Sequence, residues 1–169
     1  MLKDFEIINN VIKGLESIYT EEVKKLKKII PTKYPCCFMH VGSTAAHSIT
    51  ARPIIDIAIG VINPLDLITI KDILVLNHYN FLDYRSNIND LLLEKKSEGN
   101  SSFFIHVLAF NGKKWKEMYD FTEYLRTNTK AAKEYSAFKS DLLITKKVSP
   151  EEYERLKAEY IKKLLDNLK

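Results

Sequence analysis

The chain has 169 residues, 46% of them hydrophobic and 28% charged, with 26 basic and 22 acidic side chains for a net charge of +4. That is enough for one domain with a sizeable core, and it excludes a low-complexity or disordered chain. The small positive excess favours phosphate-bearing ligands slightly but is too small to argue for nucleic acid.

Met1-Leu2-Lys3-Asp4-Phe5 carries an early acid and no apolar core, unlike a secretory signal. No run approaches the roughly 18 apolar residues of a membrane span. The expected location is therefore intracellular, in the cytoplasm. Cys36 and Cys37 are adjacent on an extended stretch, where neighbouring side chains point to opposite faces, so they read as small buried apolar residues and not as a disulfide.

Residues Asp4 to Ile30 predict one long amphipathic helix. Ile8, Val11, Ile12, Leu15, Ile18, Tyr19, Val23, Leu26 and Ile30 recur at three- and four-residue steps, and Pro31 ends the run. Lys24, Lys25, Lys27 and Lys28 suit its C-terminal dipole. Cys36 to Val41 predicts a short strand running into the small-residue turn Gly42-Ser43-Thr44. Pro53 to Ile62 predicts the next strand, with Ile55, Ile57, Ile59 and Val61 on one face and Asp56, Ala58 and Gly60 on the other. The first set reads as core. The second is small apart from its acid, which leaves room for something to sit on it.

Asn63-Pro64 then caps and starts a helix to about Asn77. Strands are expected over His78–Tyr84, Asp90–Lys96 and Ser102–Phe110, the last two as an antiparallel hairpin. Helices are expected over Lys113–Arg126 and Lys130–Thr145. A final helix opens at Ser149-Pro150-Glu151-Glu152, whose pattern is a capping box. The order predicts an α+β fold with a mixed sheet, in a single domain 1–169: an N-terminal helix (1–30), a sheet core (36–110) and C-terminal helices (112–169).

Gly42 to Val61 carries the chemistry. A lone carboxylate inside the apolar run Pro53-Ile54-Ile55-Asp56-Ile57-Ala58-Ile59 is costly to bury unless it has a partner, a metal or a wet cleft. A Gly-Ser turn suits a backbone that approaches an anion closely. Ser43 and Asp56 are 13 positions apart, so turn and acid can meet at one cleft.

This stretch resembles the GrpB family, a branch of the nucleotidyltransferase superfamily that includes DNA polymerase beta. The family's run is G-S-T-S/A-V-P-G-L-x-A-K-P-I-I-D. Gly42, Ser43, Thr44, Ala45, Ala51, Pro53, Ile54, Ile55 and Asp56 match it in register, Arg52 stands where the family has Lys, and Ala46-His47-Ser48-Ile49 replaces Val-Pro-Gly-Leu. Further blocks look like the family's at Leu92-Leu93-Glu94-Lys95, Phe104-Ile105-His106-Val107, Phe121-Thr122-Glu123-Tyr124-Leu125-Arg126 and Tyr135-Ser136-Ala137-Phe138-Lys139. The resemblance implies a nucleotidyltransferase-like mixed sheet with flanking helices and a helical C-terminal part.

It also implies a site. Nucleotidyl transfer needs a cradle for a nucleoside triphosphate, a divalent metal held by carboxylates, and a positioned acceptor. Gly42, Ser43 and Thr44 would form the cradle, with Arg52 and Lys95 as phosphate contacts. Asp56 would hold Mg²⁺, and His106 beside it would position a water or hydroxyl. The usual second acid of that strand is Ala58 here, with Asp90 and Glu94 as substitutes by spacing. His40 and His47, which flank the turn, are further ligand contacts to weigh, and Arg126 is read as serving its helix dipole. The leading expectation is a Mg²⁺-dependent nucleotidyltransferase. The alternative is a non-catalytic module that binds a nucleotide or a related phosphorylated small molecule, and Ala58 favours it. Nucleic-acid binding ranks third, because aromatics are not interleaved with the lysines.

Overall fold

The computed structural model describes residues 2–46, 54–96 and 102–168, with the backbone alone for residues 2–13. The first helix, α1, spans Leu2–Ile29. Strand β1 (Cys36–Val41) leads directly into a single helical turn, α2 (Gly42–Ala45). Strand β2 covers Ile54–Val61. The Asn63 side chain caps the next turn by accepting from the Leu65 amide at 3.3 Å, and α3 follows over Leu67–Leu76.

The strand expected over His78–Tyr84 shrinks to β3, Asn80–Phe81. His78 adopts φ 68° and Asp83–Arg85 forms a 3-10 turn, so neither end is extended. Strands β4 (Leu91–Lys96) and β5 (Ser102–Ala109) pair antiparallel as expected. Helices α4 (Lys113–Thr127), α5 (Thr129–Ser140) and α6 (Pro150–Asp166) complete the chain. The helix expected as far as Thr145 gives way to a wider π turn at Asp141–Thr145. Ser149 caps α6 by accepting from the Glu152 amide at 3.2 Å.

The five strands are ordered β1-β2-β5-β4-β3, with β2 and β5 parallel and every other pair antiparallel. This is the α+β, mixed-sheet arrangement that the element order predicts. One sheet face is the main core. There Ile55, Ile57, Ile59 and Val61 of β2 pack with Leu93, Phe103, Ile105 and Val107, beneath Leu15, Val23 and Leu26 of α1 and Ile70 and Leu74 of α3.

The other face is built differently. Ala58 and Leu108 pack with Val41 and Trp115 of α4. A Cβ added to Gly60 would lie 2.6 Å from the Trp115 ring, so this indole rests on bare backbone. The room expected above Ala58 and Gly60 is therefore filled by the protein itself. A separate apolar cluster ties α4 to α5 and α6 through Phe121, Leu125, Ala131, Tyr135 and Tyr160. Cys36 and Cys37 are free thiols, and burial pushes that of Cys36 up to about 11. No helix among the described residues is long and apolar enough to cross a membrane.

Candidate functional site

Asp56 and His106 meet because β2 and β5 run parallel in register. Asp56 pairs with Phe104 and Ala58 with His106, so acid and imidazole are diagonal neighbours on one face. His106 Nε2 stands 3.8 Å from Asp56 Oδ1. On its other side, Nδ1 stands 2.9 and 3.0 Å from the two carboxylate oxygens of Asp90, the residue just before β4. A row Asp56–His106–Asp90 thus crosses the sheet.

The His106 side chain is 14% exposed and Asp56 is 27% exposed. Burial alone would lower the imidazole pKa, but the carboxylates of Asp56 and Asp90 outweigh it and raise it to about 9. With a carboxylate facing each nitrogen, both nitrogens carry protons near neutral pH.

The bend before β2 closes the other side of the acid. Gly42 has φ 79°, a region few other residues adopt, and a Cβ there would sit 2.7 Å from Asp56 Oδ2. Turn and acid therefore touch. The amide of Gly42 is not open to a ligand, because it donates to Thr122 Oγ1 at 3.0 Å. Ser43 is half-buried. Thr44 is buried and structural: its hydroxyl donates to the Ile54 carbonyl at 3.0 Å and accepts from His40 Nε2 at 3.2 Å. His40 itself stacks on Tyr19 of α1, on the core side of the sheet. Arg126 does more than serve a dipole, since its Nη2 donates to the Ala45 carbonyl at 3.3 Å and fastens α2 to α4.

Lys95 is not part of this site. It pairs with Phe103 in the sheet and points to the core face, opposite Asp56. There its ammonium is 2.8 Å from Glu22, which is buried and also accepts from the Tyr79 hydroxyl. A buried glutamate needs such partners, so Lys95 is a structural counterion and not a phosphate contact. Glu94 shares the Asp56 face through Phe104. Arg52 and His47 lie outside the described residues.

The helical part supplies further charged groups, among them the last residue of the family-like block Tyr135–Lys139, to which the sequence assigned no role. Lys139 of α5 is 5% exposed, with its ammonium 4.7 Å from the Tyr135 ring centroid. Burial lowers its pKa to about 8, neighbouring Lys157 adds to this, and Asp56 pulls the other way. Asp56 also bears on the Tyr135 and Tyr153 hydroxyls, whose pKa values are raised mainly by burial. Arg85 stacks on Phe104 at 5.0 Å and pairs with Glu154 at 3.1 Å, and Lys157 pairs with the same acid at 2.9 Å. Beside that block, a second sequence signal marks Lys139: it falls on the stripe Ala131, Tyr135, Lys139, where four-residue spacing puts a lysine on an apolar face.

The family profile described as "GrpB protein" matches residues 8–167. The chain is 24% identical over 158 residues to the glutamate-rich protein GrpB of Alkalihalophilus pseudofirmus, covering 91% of this chain and 84% of that one. The crystal structure of the conserved protein GrpB from Enterococcus faecalis superposes with a TM-score of 0.74 at 24% identity, covering 91% of this chain and 92% of that one. At that identity the structural likeness speaks for the fold alone.

Proposed function

The chain belongs to the GrpB family, and from its site we propose that it binds a small phosphorylated ligand, such as a nucleotide, on the Asp56 face of the sheet, without a resident metal. The observation that carries this reading is the row Asp56–His106–Asp90, in which the imidazole separates the two acids. Asp56 remains partly exposed against the Gly42 bend, where an acceptor-only carboxylate can take a ligand hydroxyl.

Magnesium fits these residues poorly. A protein usually supplies it one or two carboxylates, with water and substrate phosphate completing an octahedron, so Asp56 alone is the minimum. The same-face neighbour of Asp56 on β2 is buried Ala58, and Asp90 is engaged on the far side of His106. A protonated imidazole has no lone pair for a metal and repels one. Among the described residues, no group of three or more His, Cys, Asp or Glu side chains is arranged to hold a metal ion.

The second reading is Mg²⁺-dependent nucleotidyl transfer. It is favoured by the contact between Asp56 and the glycine of the bend, the pairing that the superfamily resemblance calls for. Thermal unfolding with nucleoside triphosphates separates the two. A ligand present at 100 times its dissociation constant stabilises by about 2.7 kcal/mol. Binding without a resident metal predicts equal protection with Mg²⁺ and with EDTA, reduced in Asp56→Asn. Protection that appears only with Mg²⁺ would overturn this reading in favour of the second.

A further inference from the structure

The Lys139 side chain is almost wholly covered, at 5% exposed, and among the described residues no carboxylate stands in ion-pair contact with its ammonium. The ammonium lies instead over the face of Tyr135, 4.7 Å from the ring centroid. Buried charges are ordinarily paired, because an unpaired one loses its hydration for nothing in return. A methionine would fill the same space at lower cost.

The charges around it are unbalanced. Lys157 approaches it from α6, Arg85 lies beyond, and Glu154 is shared by those two. Asp56 acts on Lys139 through space from β2 without forming an ion pair. Among the described residues, Lys139, Lys157, Arg85 and one acid, Glu154, therefore stand at this end, while the other end holds Asp56, Asp90, Glu94 and the imidazole of His106. A phosphate is repelled by Asp56 and attracted at the lysines. A hydroxyl suits Asp56, which only accepts.

We propose that the Lys139 ammonium, with Lys157 beside it, contacts the phosphate of the ligand, while Asp56 accepts a hydroxyl of the same molecule. The ligand class is thus a phosphorylated small molecule bearing free hydroxyls, of which the ribose phosphate unit of a nucleotide is one form. This rests on the Asp56 face being the ligand site. The lowered pKa of Lys139, about 8, still leaves it mostly protonated at neutral pH, and a bound phosphate would hold the proton more firmly.

Calorimetric titration with two probes, ATP and inorganic pyrophosphate, tests it on wild type, Lys139→Met and Asp56→Asn. Wild type should bind both, ATP the more tightly. Lys139→Met should weaken both by about tenfold or more, the scale of one lost charged contact. Asp56→Asn should weaken ATP and leave pyrophosphate unchanged or tighter. Unchanged affinity of Lys139→Met for both probes overturns the lysine assignment, and the site reading then stands if Asp56→Asn still weakens ATP. Failure of wild type to bind either probe sinks both. Lys139→Met should unfold no earlier than wild type, because it removes a buried charge. Should it fold poorly, Lys157→Met, at a position 29% exposed, should show the same loss for both probes, and unchanged affinity there also overturns the proposal.

Discussion

Removing the charge of His106 should change how stability depends on pH. The folded-state pKa of about 9 lies above the ordinary value of 6.5. The folded protein therefore holds this proton more tightly than the unfolded chain does, so its contribution is fully present below about pH 6.5 and is lost as pH rises through about 9. Full loss amounts to about 3 kcal/mol at 1.36 kcal/mol per pH unit. Lys139 works in the opposite direction. Its pKa is depressed to about 8, so the penalty for burying its charge is relieved between about pH 8 and the ordinary lysine range, and stability rises there. Cys36, pushed up to about 11, lowers stability above pH 9. The clean window is therefore pH 6.5 to 8, where His106 should account for a loss of about 2 kcal/mol. For a chain of this size that is a fall of roughly 4 to 8 °C in Tm. The assay is thermal unfolding at half-unit steps from pH 6 to 8 for wild type and His106→Gln. The variant starts lower, since Asp56 and Asp90 lose their shared partner, and its curve should be flat relative to wild type. Parallel curves, or an imidazole resonance of His106 that titrates near 6.5, would refute the account of the row.

Gly42→Ala should destabilise by about 1–2 kcal/mol from its left-handed backbone alone, and further because the new Cβ would meet the Asp56 carboxylate at 2.7 Å; urea unfolding checks this, and a neutral effect would mean that bend and acid do not touch in solution. Lys95→Met should cost about 2 kcal/mol, the scale of one lost hydrogen bond to a charged group, because among the described residues Glu22 keeps only the more exposed Lys25 as a cation, at 3.4 Å, and it should leave binding of ATP unchanged because Lys95 lies on the opposite face. Weakened ATP binding at unaltered stability would restore Lys95 to the site.

The fold was legible where a pattern has one physical reading. Alternating isoleucines along β2 can bury only one face, and they do. The caps at Asn63 and Ser149 satisfy the amides that the sequence offers them. The β3 segment was overestimated because apolar residues around His78–Tyr84 suggest a strand, whereas His78 turns into a left-handed conformation and leaves only two paired residues. Lys95 was misplaced for a related reason. Strand neighbours alternate faces, and a motif read as a string of letters hides which face each letter serves. Glu94 and Lys95 are adjacent in sequence and lie on opposite sides of the sheet.

The proposed site was half legible, and its other half is long-range. Asp56 and the Gly42 bend lie close enough in sequence for their meeting to be anticipated. Lys139 is 83 positions beyond Asp56, counted as 139 − 56, and only the packing of α5 and α6 on α4 brings it near. That packing also explains why the open surface is where it is. Trp115 occupies the bare backbone at Gly60 and covers Ala58, so one end of the β2 face is closed by an indole and cannot hold a ligand. Only the Asp56 end remains partly exposed, flanked by His106 and the Gly42 bend. Small residues along a strand therefore do not by themselves signal a binding surface. Here they seat a tryptophan, and the acid beyond it marks where the protein stops filling its own face.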